Sequence, residues 1–216
     1  MASVYQNVAE LHASVGGVPL DRIRLIPHPG EATLSDAIEA DAEVGARTVE
    51  LVDGVLIEKA MGYQESLLAT TLAFLIKSYL QESDLGVVAG SDGTSQYYED
   101  CTRAPDVSFV SWQSLPGGRV PAEPIPDLAP DLAVEVLSTS NTDAEMQRKV
   151  ADFKRGGVRV IWLLDPRAET ATVYVGDADP VTVDAGAVLD AGDVLPGFEV
   201  TLAELIEKAG LRRGDK

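Results

Sequence analysis

The hydrophobic and polar positions change their period several times along the chain, and each change predicts an element. Up to about residue 30 the pattern is poor, and the Pro- and Gly-containing stretch IPHPGEAT closes it. This predicts an N-terminal arm over residues 1–30, lying on the surface of a single domain that spans 31–210. Thr33 then stands as an N-cap before LSDAIEADAE, with Asp36 three residues on, the spacing of a capping box. RTVELVDGVLIEKA reads as a β-hairpin turning on Asp53-Gly54. From Gly62 to Gln81 the apolar residues fall at helical spacing, with Leu68, Leu72, Leu75 and Tyr79 on one stripe.

Beyond Asp84 the period shortens. GVVAG, the piece around Gln96-Tyr97-Tyr98, and APDVSFV predict strands, followed by the long loop SWQSLPGGRVPAEPIPDLAP. DLAVEVLS is apolar on both faces, the pattern of a buried strand. Thr142 and Glu145 mark a capping box for a helix that Gly156-Gly157 ends, and VRVIWLLDP is a second buried strand. Short strands (ATVYV, VTVDAG, AVLDAGDVL) and a final helix, LAELIEKAG, complete the chain. Buried strands interleaved with helices, and hairpins at both ends, predict an α/β (α+β) layer fold around a mixed sheet, with a β-rich C-terminal extension.

Composition narrows the class. The chain has 216 residues, 45% hydrophobic and 24% charged, which suits one packed domain. No apolar run approaches the roughly 18 residues of a membrane span, and MASVYQNVAELHASVGG lacks the basic start and apolar core of a secretory signal. A single cysteine, Cys101, excludes an internal disulfide and suits a reducing cytoplasm. The two histidines, His12 and His28, both near the N-terminus, give neither a zinc pattern nor a base for Cys or Ser138. No GxGxxG or GxxxxGK[ST] occurs. The net charge of −18 repels polyanions at long range and excludes a general nucleic-acid coating protein. An enzyme that meets nucleic acid through divalent cations and a local basic patch is compatible with it.

Two acids stand where the pattern asks for apolar residues, and two further charged residues are candidates beside them. Glu135 interrupts the buried strand LAVEV, and Asp106 opens the strand VSFV just after Pro105. Side by side, the two carboxylates repel unless a cation or shared proton lies between them, so the pair is a natural oxygen site for Mg²⁺ or Mn²⁺. On the helix after Glu135, Met146, Val150 and Phe153 form the apolar stripe. Lys149 lies about 60° from Met146 and about 40° from Phe153, whereas Arg148 points away towards solvent. A lysine so placed runs its stem along the core and delivers its ammonium near the end of the sheet. Glu50 alternates with Val49 and Leu51 on its strand. Each residue also has a plainer reading: a salt-bridged core acid (Glu135), a strand-start cap (Asp106), a solvated helix residue (Lys149) and an exposed hairpin residue (Glu50). Gln64 and Glu65 suit the first turn of their helix. Trp162 and Tyr174 suit the core or its rim, and Trp112 lies in the long loop.

In combination, RTVELVDGVLIEKAMG, RAPDVSFV, PDLAVEVLSTSN and KVADFKRGGVRVIWLLDP resemble the Uma-two family of bacterial endonucleases, from about Leu34 to Leu205. That family belongs to the restriction-endonuclease-like superfamily with its PD-(D/E)-x-K signature. The resemblance implies a restriction-endonuclease-like core with the site at one end of a mixed sheet. It also implies Mg²⁺ (or Mn²⁺) as cofactor and DNA as substrate, and allows a homodimer. Pro105-Asp106 matches the PD and Glu135 the second acid; the signature lysine falls at Leu137, and its role passes to the following helix at Lys149. Glu50 matches the family's N-terminal acid, so the implied catalytic set is Asp106, Glu135, Lys149 and Glu50, with Asp106, Glu135 and Glu50 as metal ligands. Gln64 stands where a histidine is expected. The competing reading from another class is a nuclease-like domain that serves as a binding or assembly module. A paired-carboxylate glycosidase ranks last, because aromatic residues are only 6% of the chain.

Overall fold

The computed structural model describes residues 5–43 and 47–211. Five helices are α1 (Val8–Ser14), α2 (Leu34–Asp41), α3 (Tyr63–Ser83), α4 (Asp143–Gly156) and α5 (Leu202–Lys208). The strands are β1 (Val49–Val52), β2 (Val55–Glu58), β3 (Gly86–Gly90), β4 (Ser95–Tyr98), β5 (Cys101–Arg103) and β6 (Val107–Ser111). They continue with β7 (Leu132–Val136), β8 (Val160–Asp165), β9 (Thr170–Val175), β10 (Val181–Asp184), β11 (Val188–Asp190) and β12 (Glu199–Thr201).

The central sheet has six strands in the order β10-β9-β8-β7-β6-β3. It is mixed: β7 and β8 run parallel and are joined through α4, while the other neighbours are antiparallel. A parallel pair requires such a crossover, and the helix that supplies it is held against one face. The C-terminal strands β9 and β10 thus extend the central sheet, while β11 and β12 form a separate pair.

Where the sequence suggests one sheet, the structure has a second layer of four strands, β2-β1-β5-β4. The pairing of β1 with β5 links residues some fifty positions apart, beyond the reach of a local pattern. Ala104-Pro105-Asp106 carries the chain from β5 in the smaller sheet to β6 in the central one.

α3 and α5 cover one face of the central sheet in a large apolar cluster that includes Leu68, Leu72, Ile76, Phe109, Leu132, Val134 and Trp162. The buried stripe of α3 runs Leu68, Leu72, Ile76, Leu80, with Leu75 and Tyr79 half-buried beside it. α4 covers the other face through Met146, Val150 and Phe153, packed on Ala133, Ile161, Leu163 and Tyr97. Trp162 is fully buried, and Tyr174 lies under the Lys154 ammonium.

The local signals appear as read for α2, where Thr33 and Asp36 form a complete capping box. Asp53 and Gly54 both take positive φ in the hairpin turn. At the head of α4, Thr142 accepts from Glu145 N, but the Glu145 carboxylate turns away to Arg22 and Asn141 instead of closing the box. The long loop is pinned by buried Leu115 and Ile125, and by hydrogen bonds between Gln96 and residues 126 and 128.

Within the N-terminal stretch, of which residues 1–4 lie outside the described residues, the packing is closer than its weak pattern predicts. Leu11, Val15, Val18 and Ile23 are buried against Val52, Val55 and Ile57 of the hairpin. Gly16, at φ +79°, passes so close to α4 that a Cβ there would lie 2.9 Å from Arg148 Cβ. Buried Arg22 reaches Glu145 at 2.8 Å, so this segment straps the start of α4 to the hairpin.

Candidate active site

The β6–β7 register sets Val107 opposite Val134, which brings Asp106 opposite Glu135. Both side chains are buried. The two acids singled out in the sequence therefore share one end of the central sheet. Asp106 Oδ2 accepts a hydrogen bond from Val136 N at 2.7 Å, which fixes its carboxylate across the strand.

α4 brings Lys149 to the same place. Its Nζ lies 2.9 Å from Glu135 Oε1 and 3.4 Å from Glu50 Oε1, and the side chain is 3% exposed. The run Ser138–Asn141 makes this possible. Asn141 Oδ1 accepts from Ser138 N, and Ser140 N donates to Ser138 Oγ, a tight polar turn that starts α4 just beyond β7. Leu137 is half-buried, and its N–H continues the ladder to Leu164. The ammonium thus arrives from the helix and not from the strand.

Glu50 is not an exposed hairpin residue; it is 1% exposed because the second sheet and α4 cover it. Its Oε1 also accepts from Ala104 N at 3.2 Å, and its Oε2 accepts from Arg103 Nη1 at 2.7 Å. Arg103 also pairs with Asp152 of α4, which accepts from Tyr98 Oη and Arg148 Nε. Arg148, expected in solvent, is half-buried: it bridges Asp152 to Asp53 of the hairpin turn and donates to Ser14 O.

A fifth residue completes the cluster. Lys59, just past β2 and on the side of Ile57, is buried with its Nζ 2.8 Å from Asp106 Oδ1. Lys59, Arg103 and Asp152 escape the sequence reading because a charged residue at a strand end or on a helix flank ordinarily reads as solvated. The available signals were period-two spacing from Ile57 to Lys59 and the i,i+4 pair Arg148–Asp152.

Burial and neighbours pull the acids apart. Burial pushes the Glu135 carboxyl up, the Asp106 charge adds to this, and the Lys149 ammonium offsets it only in part, leaving it at about 7. Glu50 is equally buried, yet Lys149, Arg103 and Lys59 together outweigh that burial and hold it down at about 2. Lys149 itself is raised: burial opposes its charge, but Glu135 and Glu50 prevail.

Among the described residues, no three His, Cys, Asp or Glu side chains form a group able to hold a metal by themselves. Mg²⁺, however, is commonly bound through one or two carboxylates and keeps several waters. Asp106 and Glu135 fit that need: they are opposed across two strands, and Glu135 Oε2 accepts no hydrogen bond among the described residues. Glu50 fits it less well: both its oxygens are held by two cations and Ala104 N, whereas Asp106, also engaged at both oxygens, meets one ammonium and Val136 N.

Two adjoining clefts open beside the cluster. One, of about 520 Å³, is lined by Arg47, Lys59 and Asp92 among others. The other, of about 330 Å³, is lined by Asp106, Ser66 and Thr70, and the two share Met61, Ser91 and Asp92. Gln64 is exposed on the first turn of α3. No helix among the described residues is long and apolar enough to cross a membrane.

Comparison with known proteins shows the fold and the family. In a crystal structure described as "a putative nuclease belonging to DUF820" from Anabaena variabilis, the superposition has a TM-score of 0.70 at 20% identity. It covers 82% of this chain and 98% of that one, so the two share a fold. No curated protein matches the chain. The profile of the family described as "Putative restriction endonuclease" matches residues 42–203, about three quarters of the sequence, and the chain belongs to that family, Uma2.

Proposed function

We propose that the protein is a divalent-cation-dependent endonuclease that hydrolyses DNA phosphodiester bonds, with Mg²⁺ or Mn²⁺ held by Asp106 and Glu135. The observation that carries this is the convergence of two opposed carboxylates and one ammonium, Lys149 Nζ at 2.9 Å from Glu135, at one end of the central sheet beside open clefts. When bound, the cation supplies positive charge that polarises a phosphoryl oxygen and eases loss of a proton from water.

The chain's own residues do the rest. Lys149 remains an ammonium, held charged by Glu135 and Glu50. It therefore acts as a hydrogen-bond donor that orients the attacking water and stabilises charge on the phosphate, not as a proton acceptor. Glu50 serves as the anchor: with one oxygen on Arg103 and the other shared by Lys149 and Ala104 N, it fixes the ammonium against drift. Exposed Arg47, on the larger cleft beside Asp41 and Asp92, gives a polyanion a single basic contact on an acidic surface.

One observation favours a binding module without chemistry: Lys59 neutralises Asp106, and Lys149 neutralises Glu135, with no cation required. A cleavage assay on closed circular DNA separates the readings. The endonuclease produces nicked or linear DNA in Mg²⁺ or Mn²⁺, stops in chelator, and loses activity on Asp106→Asn. Cleavage that persists in chelator, or at the unaltered rate in Asp106→Asn, would sink the assignment. A chain that leaves DNA intact with either cation is the module.

A further inference from the structure

Each carboxylate of the central pair has its own lysine, but the two lysines are held differently. Lys149 is enclosed: its Nζ sits between Glu135 and Glu50, with 3% of the side chain exposed. Lys59 Nζ instead meets Asp106 Oδ1 at 2.8 Å, donates to Ala104 O at 2.6 Å and to Ser91 O at 3.3 Å, and lines the larger cleft. Its surroundings are one carboxylate oxygen and two main-chain carbonyls, the donor types a hard divalent cation selects.

Lys59 also has somewhere to go. Its flexible four-carbon stem rises from the wall of a cleft of about 520 Å³ that Asp41 and Asp92 also line, whereas Lys149 Nζ is held between two carboxylates and lines neither cleft. A dication at Asp106 would stand within a few ångströms of the Lys59 ammonium, and repulsion at that range in a buried site is well above thermal energy. The two cations therefore exclude one another.

We propose that Lys59 is a resident counter-ion that fills the Asp106 side of the site until a divalent cation replaces it, the ammonium then swinging into the cleft towards Asp41 and Asp92. This rests on Asp106 being a cation ligand, as the proposed function requires. Lys59 acts by exchange: it keeps the buried carboxylate paired in the free protein and weakens cation binding by the interaction that must be broken.

Calorimetric titration with Mn²⁺ tests this on the unaltered chain and on Lys59→Met, which keeps the stem and removes the charge. The exchange predicts that Lys59→Met binds Mn²⁺ tighter by about tenfold or more, one close charge interaction being of that size. An equal or weaker affinity overturns the exchange and leaves the cation site standing. Absence of Mn²⁺ binding by both proteins overturns the cation site and the exchange together. Should Lys59→Met fail to fold, acylation of the unaltered chain by an amine-reactive reagent, read by peptide mass spectrometry, decides. Labelling of Lys59 rises several-fold on saturation with Mn²⁺, while exposed Lys77 on α3 stays constant. Labelling of Lys59 that is the same with and without bound Mn²⁺ overturns the proposal.

Discussion

Val134 and Glu135 are neighbours on one strand, yet they face opposite environments. Val134 points into the apolar cluster under α3 and α5, where Trp162, Phe109, Leu72 and Ile76 exclude water and carry no charge. Glu135 points towards α4 into a layer of buried ions: Lys149, Glu50, Arg103, Asp152, Asp106 and Lys59. The first face obtains stability from area removed from water, which scales with size and is indifferent to partners. The second holds several charges whose burial is tolerable only while each has its counter-ion. That difference teaches where chemistry can sit: the apolar face fixes the strands, and the ionic face spends part of that stability on a preorganised electrostatic site.

Substitutions on the two faces should therefore fail in different ways. On the apolar face, Trp162→Ala should cost about 3–5 kcal/mol in denaturant unfolding, the size expected for a large buried aromatic. No second substitution among the charged residues should recover it. On the ionic face, Lys149→Met should cost on the order of 3–5 kcal/mol, because Glu50 and Glu135 are left facing each other without their shared cation. Unlike the first, this loss should shrink by about 1–3 kcal/mol when Glu135→Gln is added, the range of coupling for contacting groups. Strict additivity in that double variant would show that the three groups do not act as a unit.

The same comparison can be sharpened by pH. Glu135 is raised from 4.5 to about 7, so the folded protein keeps a proton that the unfolded chain releases. Its contribution to stability is present in full below about 4.5, and is lost as pH rises to about 7. The loss is on the order of a few kcal/mol. Glu50, lowered to about 2, has the opposite sign: its contribution holds above about 4.5 and is lost as pH falls towards 2. Unfolding curves of Glu135→Gln should lack the decline between pH 4.5 and 7, and Trp162→Ala should keep it. The smallest effect lies outside both faces: Lys208→Ala, breaking the exposed i,i+4 pair with Glu204, should change stability by less than about 0.5 kcal/mol.

Much of the ionic face was readable in the sequence. Glu135 and Asp106 stand out because a charge in an apolar strand is conspicuous, and Lys149 because it flanks an apolar stripe whose period is known. Both depend on local periodicity alone. What was hidden depends on the second sheet. Glu50 looks like an exposed hairpin acid until β5 and α4 cover it, and Arg103, Asp152 and Lys59 look like ordinary solvated charges until the two sheets close on them. The pairing of β1 with β5 and the Arg22–Glu145 bridge, which spans 123 positions, are long-range contacts that no pattern of neighbours encodes. The close packing of the N-terminal segment is hidden as well: its helix is a single seven-residue element, too short to announce a face.

The central claim is that Glu135, held between Lys149 and Asp106, works in catalysis and is not merely a paired core acid. The direct measurement is the single-turnover rate of DNA cleavage by Glu135→Gln in saturating Mg²⁺ at pH 8, with folding checked by its unfolding curve. The account predicts a protein at least as stable as the unaltered chain and slower by at least about 100-fold, the scale for removing one preorganised electrostatic group. A folded Glu135→Gln that cleaves DNA at the unaltered rate would contradict it.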